Sequence, residues 1–132
     1  MAEIWDWHNH HEVICEPRTG PIEERLDYIR KHKPQSERET RLRLIAPVTV
    51  ELPAALVKAW AAYDTAGAAS VKAGAASDTA WVAYDKAWVA YVKALSDDAP
   101  ELERLHALDC PAALAGTCPW DGKTIFPGGN DV

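Results

Sequence analysis

From Pro53 to Ala94 the apolar and polar positions recur every seven residues. The six units read P-A-A-L-V-K-A, W-A-A-Y-D-T-A, G-A-A-S-V-K-A, G-A-A-S-D-T-A, W-V-A-Y-D-K-A and W-V-A-Y-V-K-A. The third and seventh positions are Ala throughout, and the sixth is always Lys or Thr. After the opening unit, the first and fourth positions carry Trp60, Tyr63, Gly67, Ser70, Gly74, Ser77, Trp81, Tyr84, Trp88 and Tyr91. At about 100° per residue, positions one, three, four and seven fall on one helical arc of about 160°. The Lys/Thr column and most Asp lie outside that arc. Six such units predict an amphipathic, coiled-coil-like helix.

A continuous helix from 53 to 96 would span roughly 65 Å. A compact domain of this length has a radius of gyration of about 14 Å, so the chain cannot wrap such a helix. The helix must find a partner or break. The break would lie between Gly67 and Ala80, where two Gly sit seven apart, large aromatics vanish, and arms 53–66 and 81–96 would form a hairpin. Against a break, the heptad phase runs through unbroken and no Pro or Asn-Gly turn signal occurs, which favours one long helix. Two copies laid antiparallel then set small against large. Gly67 faces Tyr84, Ser70 faces Trp81 and Gly74 faces Ser77, while Trp60 meets Tyr91 and Tyr63 meets Trp88. These ten residues are the expected homo-oligomer interface; the alternative is that another segment of the same chain, carrying Trp5 or Trp7, fills the small-residue groove.

Outside the repeat the texture changes. Residues 12–16 read as a short strand, and Pro21 opens a helix to about Lys33 with Ile22, Leu26 and Ile29 at helical spacing. Residues 41–45, R-L-R-L-I, alternate charged and apolar side chains, the pattern of a half-buried strand. A second short helix is expected from about Ala99 to Asp109. The tail from Pro111 is rich in Gly and Pro and should be irregular, anchored by Trp120, Ile125 and Phe126. The expected architecture is mainly α. A small α+β module spans 1–50, the Ala-rich heptad helix 51–97, and a short helix with a Cys/Trp tail 98–132.

Composition sharpens this picture. Of 132 residues, 23 are Ala and only one is Phe and one Met, so six Trp and four Tyr must supply much of the burial. The net charge is −6, yet residues 18–43 hold eight Lys/Arg against five Asp/Glu. One modestly basic segment on an acidic chain is a poor footprint for nucleic acid, and it suits pairing with an acidic surface better. No run of 18 apolar residues exists and the first residues are no secretory signal, so a cytoplasmic chain without a membrane span is expected.

Three Cys in a reducing compartment point away from a disulfide framework and toward metal ligation or plain burial. His106 and Cys110 stand four apart, hence on one helical face, and Cys118 follows. With Cys15 they make three thiolates and one imidazole, a set suited to structural zinc; ordinary partly buried side chains are the other reading. If the long helix were continuous, a site containing Cys15 would have to form between chains. His8, His10 and His11 read first as a solvated terminal segment, and second, with His8 and His10 on one face of an alternating strand, as divalent-metal ligands.

Several segments together resemble one protein group. They are R-L-R-L at 41–44, L-P-A-A-L-V-K-A at 52–59, the Ala-Tyr-Asp-Lys-Ala-Trp repeats and C-P-W-D-G-K-T-I-F at 118–126. They are similar to a set of uncharacterised bacterial and phage proteins, over most of residues 21–127. The resemblance implies no activity. It implies a closer pair of tail cysteines, C-P-x-C, where this chain separates Cys110 and Cys118 by seven residues.

No nucleophile elbow, P-loop or dinucleotide fingerprint is present, so no enzyme is expected. The leading expectation is a self-assembling structural or scaffold protein. The alternative is an acidic binding or inhibitory module, phage-encoded and acting on a host protein. Behind both stands a metal-dependent hydrolase built on Glu12, Glu16 and His8–His11.

Overall fold

A computed structural model describes residues 4–73 and 78–127. It is mainly helical, with a small three-stranded antiparallel sheet near the N-terminus. The chain divides into two compact units, Met1–Val50 with Glu103–Val132, and Glu51–Leu102.

In the first unit, β1 (Ile4–Trp7) is the central strand, flanked by β2 (Cys15–Arg18) and β3 (Ala46–Pro47). Trp5 pairs with Pro17, Asp6 with Glu16 and Trp7 with Cys15. Pro17 is tolerated because β2 is an edge strand and needs no second ladder. Trp5 and Trp7, two apart, are both buried. Helix α1 (Ile22–His32) follows Pro21 as expected and places acidic residues in its first turn and basic ones in its last.

Residues 41–44, expected in a strand, are instead the last turn of α2 (Gln35–Leu44), and the strand comes only at 46–47. Five alternating residues fit a helix equally well when i, i+4 and i+7 share the buried face. Here that face is Glu37, Arg41 and Leu44, all buried, with the Arg41 guanidinium 2.6 Å from the Glu37 carboxylate. The tail after α5 (Ala99–Asp109) forms one short helical turn, α6 (Pro111–Leu114), before running irregular. Ile125 is its buried anchor.

The second unit replaces the single long helix with two. Helices α3 (Ala54–Ala73) and α4 (Asp78–Asp97), 20 residues each, run antiparallel side by side. Trp60 packs on Tyr91 at 5.2 Å between ring centroids, and Tyr63 on Trp88 at the same distance. A Cβ at Gly67 would stand 3.2 Å from the Tyr84 ring, so the glycine makes the space that Tyr84 occupies. The Gly67–Tyr84, Trp60–Tyr91 and Tyr63–Trp88 pairs therefore occur in the expected register, within one chain. The physical reason is effective concentration. A short connection holds the second aromatic column beside the first, so the seam closes without a partner. Heptad phase within each arm is enough for such a hairpin, so its continuity along the sequence does not argue against a turn. Ser70 is half-buried and Trp81 packs edge-on to Tyr84 of its own helix, while Gly74 and Ser77 lie outside the described residues.

No described helix is long and apolar enough to cross a membrane.

Candidate metal centre

Four side chains from three parts of the first unit converge. His8 follows the last residue of β1, His106 lies in the final turn of α5, Cys110 joins α5 to α6, and Cys118 lies in the irregular tail. Their donor atoms all stand within 4.8 Å of one another. The His8 and His106 Nε2 atoms are 2.9 Å apart, and the Cys118 Sγ is 3.3 Å from the first and 3.5 Å from the second. Donors tetrahedral about zinc, at about 2.0–2.1 Å for nitrogen and about 2.3 Å for sulfur, stand about 3.3–3.8 Å from each other. The cluster is geometrically compatible with a metal ion such as zinc, its shortest edge of 2.9 Å a little under that range and its donors all within 4.8 Å.

Local structure explains how each donor arrives. His8 is the one non-glycine among the described residues with a positive φ, 57°. That left-handed kink at the end of β1 is unfavourable for most side chains. It is held by the His8 amide donating to the Ile14 carbonyl, and it leaves the imidazole fully buried beside His106. Cys110 directly follows α5 and continues its last turn, its amide donating to the His106 carbonyl, so it stands on the His106 face as their spacing predicts. Gly116, also at positive φ, lies in the turn that leads to Cys118.

A surrounding shell fixes the frame. The Trp7 indole donates to the Asp109 carboxylate at 2.8 Å, and the Thr49 amide and hydroxyl donate to the same group. One carboxylate next to Cys110 thus joins β1 and the segment after β3 to the end of α5. Burial disfavours the Asp109 charge, but the hydrogen bonds from Thr49 and Trp7 outweigh it and hold the carboxyl below its ordinary pKa. On the far side the Trp120 indole donates to Glu103 at 2.9 Å and its ring lies 5.6 Å from the His8 ring.

The two thiols titrate as a pair. The Cys118 thiol donates a hydrogen bond to Cys110 and lowers its pKa, with His106 and His8 adding to the effect against burial. The same interaction raises Cys118. Two thiolates balance the charge of a divalent ion, so a loaded Cys2His2 set is neutral and suited to burial. Two imidazoles and two thiols are a donor set that suits zinc.

Of the four expected ligands, His106, Cys110 and Cys118 are brought together and Cys15 is not. Cys15 sits wholly buried at the start of β2, outside the cluster, with its thiol pushed up to about 12 by burial and the nearby Glu16 charge. His8 takes the fourth place, against its reading as a solvated terminal residue. His10 is exposed and pairs with Glu16, and His11 bonds to Arg41. The chain matches no family model, no curated protein and no solved structure.

Proposed function

We propose that this chain is a non-catalytic, zinc-stabilised module in which the ion ties the end of β1 to α5 and the C-terminal tail. The observation that carries this reading is the convergence of two imidazoles and two thiols in one buried cluster. Hydrogen bonding among themselves is a poor use of four such donors, whereas one divalent cation satisfies all of them. Elemental analysis of protein purified without added metal tests it. One zinc per chain, removed by a strong chelator with loss of thermal stability, is the expected result. No bound metal, and no stabilisation by added zinc, would overturn it.

Self-association is the role we assign to the hairpin, and one observation favours it. Heptad positions two and five place Val82, Asp85, Val89 and Val92 on one stripe of α4, away from the aromatic seam. Val82 and Val89 are 59% and 65% exposed. Lys86 and Lys93 flank this stripe and line the same shallow groove. A second copy laid antiparallel with Val89 against Val89 sets each Asp85 opposite a Lys93, so the stripe is complementary to itself. Sedimentation velocity across a concentration series decides it: a reversible dimer is expected, and a monomer at the highest concentration would defeat it.

A further inference from the structure

We propose that Cys110 and Cys118 are a peroxide-sensitive pair whose oxidation to a disulfide ejects the ion. This rests on the zinc reading of the same cluster. Three observations carry it.

The two sulfurs already lie within 4.8 Å of each other. A disulfide has sulfurs about 2.0 Å apart, so closure asks for a movement of under about 3 Å. The segment that carries Cys118 is free of regular secondary structure after Leu114, and its turn at Gly116 needs no ladder to be broken. Cys110, by contrast, is fixed at the end of α5. One sulfur can travel while the other stays.

Access is asymmetric in the same sense. Cys118 is half-exposed, whereas Cys110 and Cys15 are buried. An oxidant from solvent therefore meets Cys118 first. Metal ligation keeps sulfur as thiolate, the reactive form. The Cys118 thiolate attacks one oxygen of hydrogen peroxide, forming a sulfenic acid and releasing hydroxide. The Cys110 thiolate then attacks that sulfur, forming the S–S bond and releasing a second hydroxide. Two thiolates and one peroxide become one disulfide and two hydroxides. Both anionic ligands are consumed, and two neutral imidazoles are left, a donor set too small to hold zinc as a closed site.

The third cysteine makes the pair selective. Cys15 lies outside the cluster and is fully buried, so it is neither a first target nor a competing partner.

The test treats zinc-loaded protein with stoichiometric hydrogen peroxide, reading free zinc with a metallochromic dye and the intact mass in parallel. Expected are release of one zinc per chain, a mass loss of ~2 Da for the two electrons removed, and a Cys110–Cys118 cross-link in the peptide map. Dithiothreitol with added zinc should restore both mass and metal. The Cys15→Ala variant, which keeps all four ligands, should behave identically. Zinc retained after oxidation, zinc lost with oxygen added to either sulfur but no cross-link, or a cross-link through Cys15 would each overturn the proposal and leave the zinc reading standing. Absence of zinc from the untreated protein defeats the zinc reading and, with it, the ejection step.

Discussion

The His8 and His106 imidazoles meet at 2.9 Å between their Nε2 atoms, although 98 positions separate them in sequence. The contact joins the end of the first strand to the last turn of α5, and a shared ion would make it a cross-link. At free zinc a hundredfold above its dissociation constant, such an ion stabilises the fold by about 2.7 kcal/mol. We therefore expect His8→Ala to abolish stoichiometric zinc and to melt like the chelated wild type. Cys15→Ala should keep one zinc per chain and lose stability only through its small cavity. Elemental analysis with a thermal melt separates the two variants, and zinc lost from the Cys15 variant would place that thiol among the ligands.

Asp109 accepts hydrogen bonds from Trp7 and twice from Thr49, so its removal strands several donors at once. Asp109→Ala should cost about 1–3 kcal/mol, and Trp7→Phe should cost about 1 kcal/mol for the lost bond to Asp109 plus the cavity left where part of the fully buried indole stood. Because the folded carboxyl lies below its ordinary pKa of 3.8, its contribution is present above pH 3.8 and fades as pH falls further. Chelator-treated wild type should lose stability more steeply below that pH than chelator-treated Asp109→Asn. Parallel acid slopes would show that Asp109 carries no such linkage.

Tyr63 and Tyr84 share a hydrogen bond of 2.7 Å between hydroxyls, with their rings stacked at 5.1 Å. That bond, with burial adding, raises the Tyr63 phenol to about 12 from an ordinary 10. An acid whose folded pKa is raised contributes stability below the unfolded value, and that stability is lost as pH climbs from 10 toward 12. Ultraviolet titration should show a late Tyr63 phenol that returns toward 10 in Tyr84→Phe. The hairpin of the wild type should also melt at lower temperature as pH rises through this window, and less so in the variant. A titration unchanged by Tyr84→Phe would break the link.

What the chain's letters disclose depends on range. Helix α1, helix α5 and the aromatic columns are written in local periodicity, and the structure has them where that periodicity lies. The pairing of Trp60 with Tyr91 and of Tyr63 with Trp88 was legible too, because small and large residues alternate in mirror order. Whether that pairing closes within a chain or between two was not, since the same register serves both. Residues 41–45 misled because five residues cannot separate a period of 2 from one of 3.6 when Glu37 is waiting four residues upstream of Arg41. In the metal centre, His106 and Cys110 were visible through their helical spacing. His8 was hidden twice, by its distance along the chain and by a backbone kink that strand alternation does not foresee. The one cue was its place directly after the alternating Trp5 and Trp7, which mark a buried strand end rather than a solvated terminus.

The exposed stripe on α4 gives the last expectation. In the antiparallel arrangement Val89 sits on the two-fold axis, so a charge placed there meets its own copy across a desolvated contact. Val89→Glu should convert dimer to monomer while leaving the hairpin's aromatic seam and its melting intact, because Val89 lies outside that seam. Charge reversal supplies the sharper experiment. Asp85→Lys sets two lysines opposite each other, and Lys93→Asp sets two aspartates, so each single variant should weaken dimerisation. Lys93 reaches Asp97 within its own helix, but that pair faces solvent and holds it only weakly. Combining Asp85→Lys with Lys93→Asp exchanges the charges and should restore association. Exposed ion pairs contribute about 0.2–1 kcal/mol each, and two occur per dimer by symmetry, so single variants should weaken dimerisation by roughly twofold to thirtyfold. Sedimentation velocity on the four proteins measures this. Failure of the double variant to recover would show that Asp85 and Lys93 do not face each other.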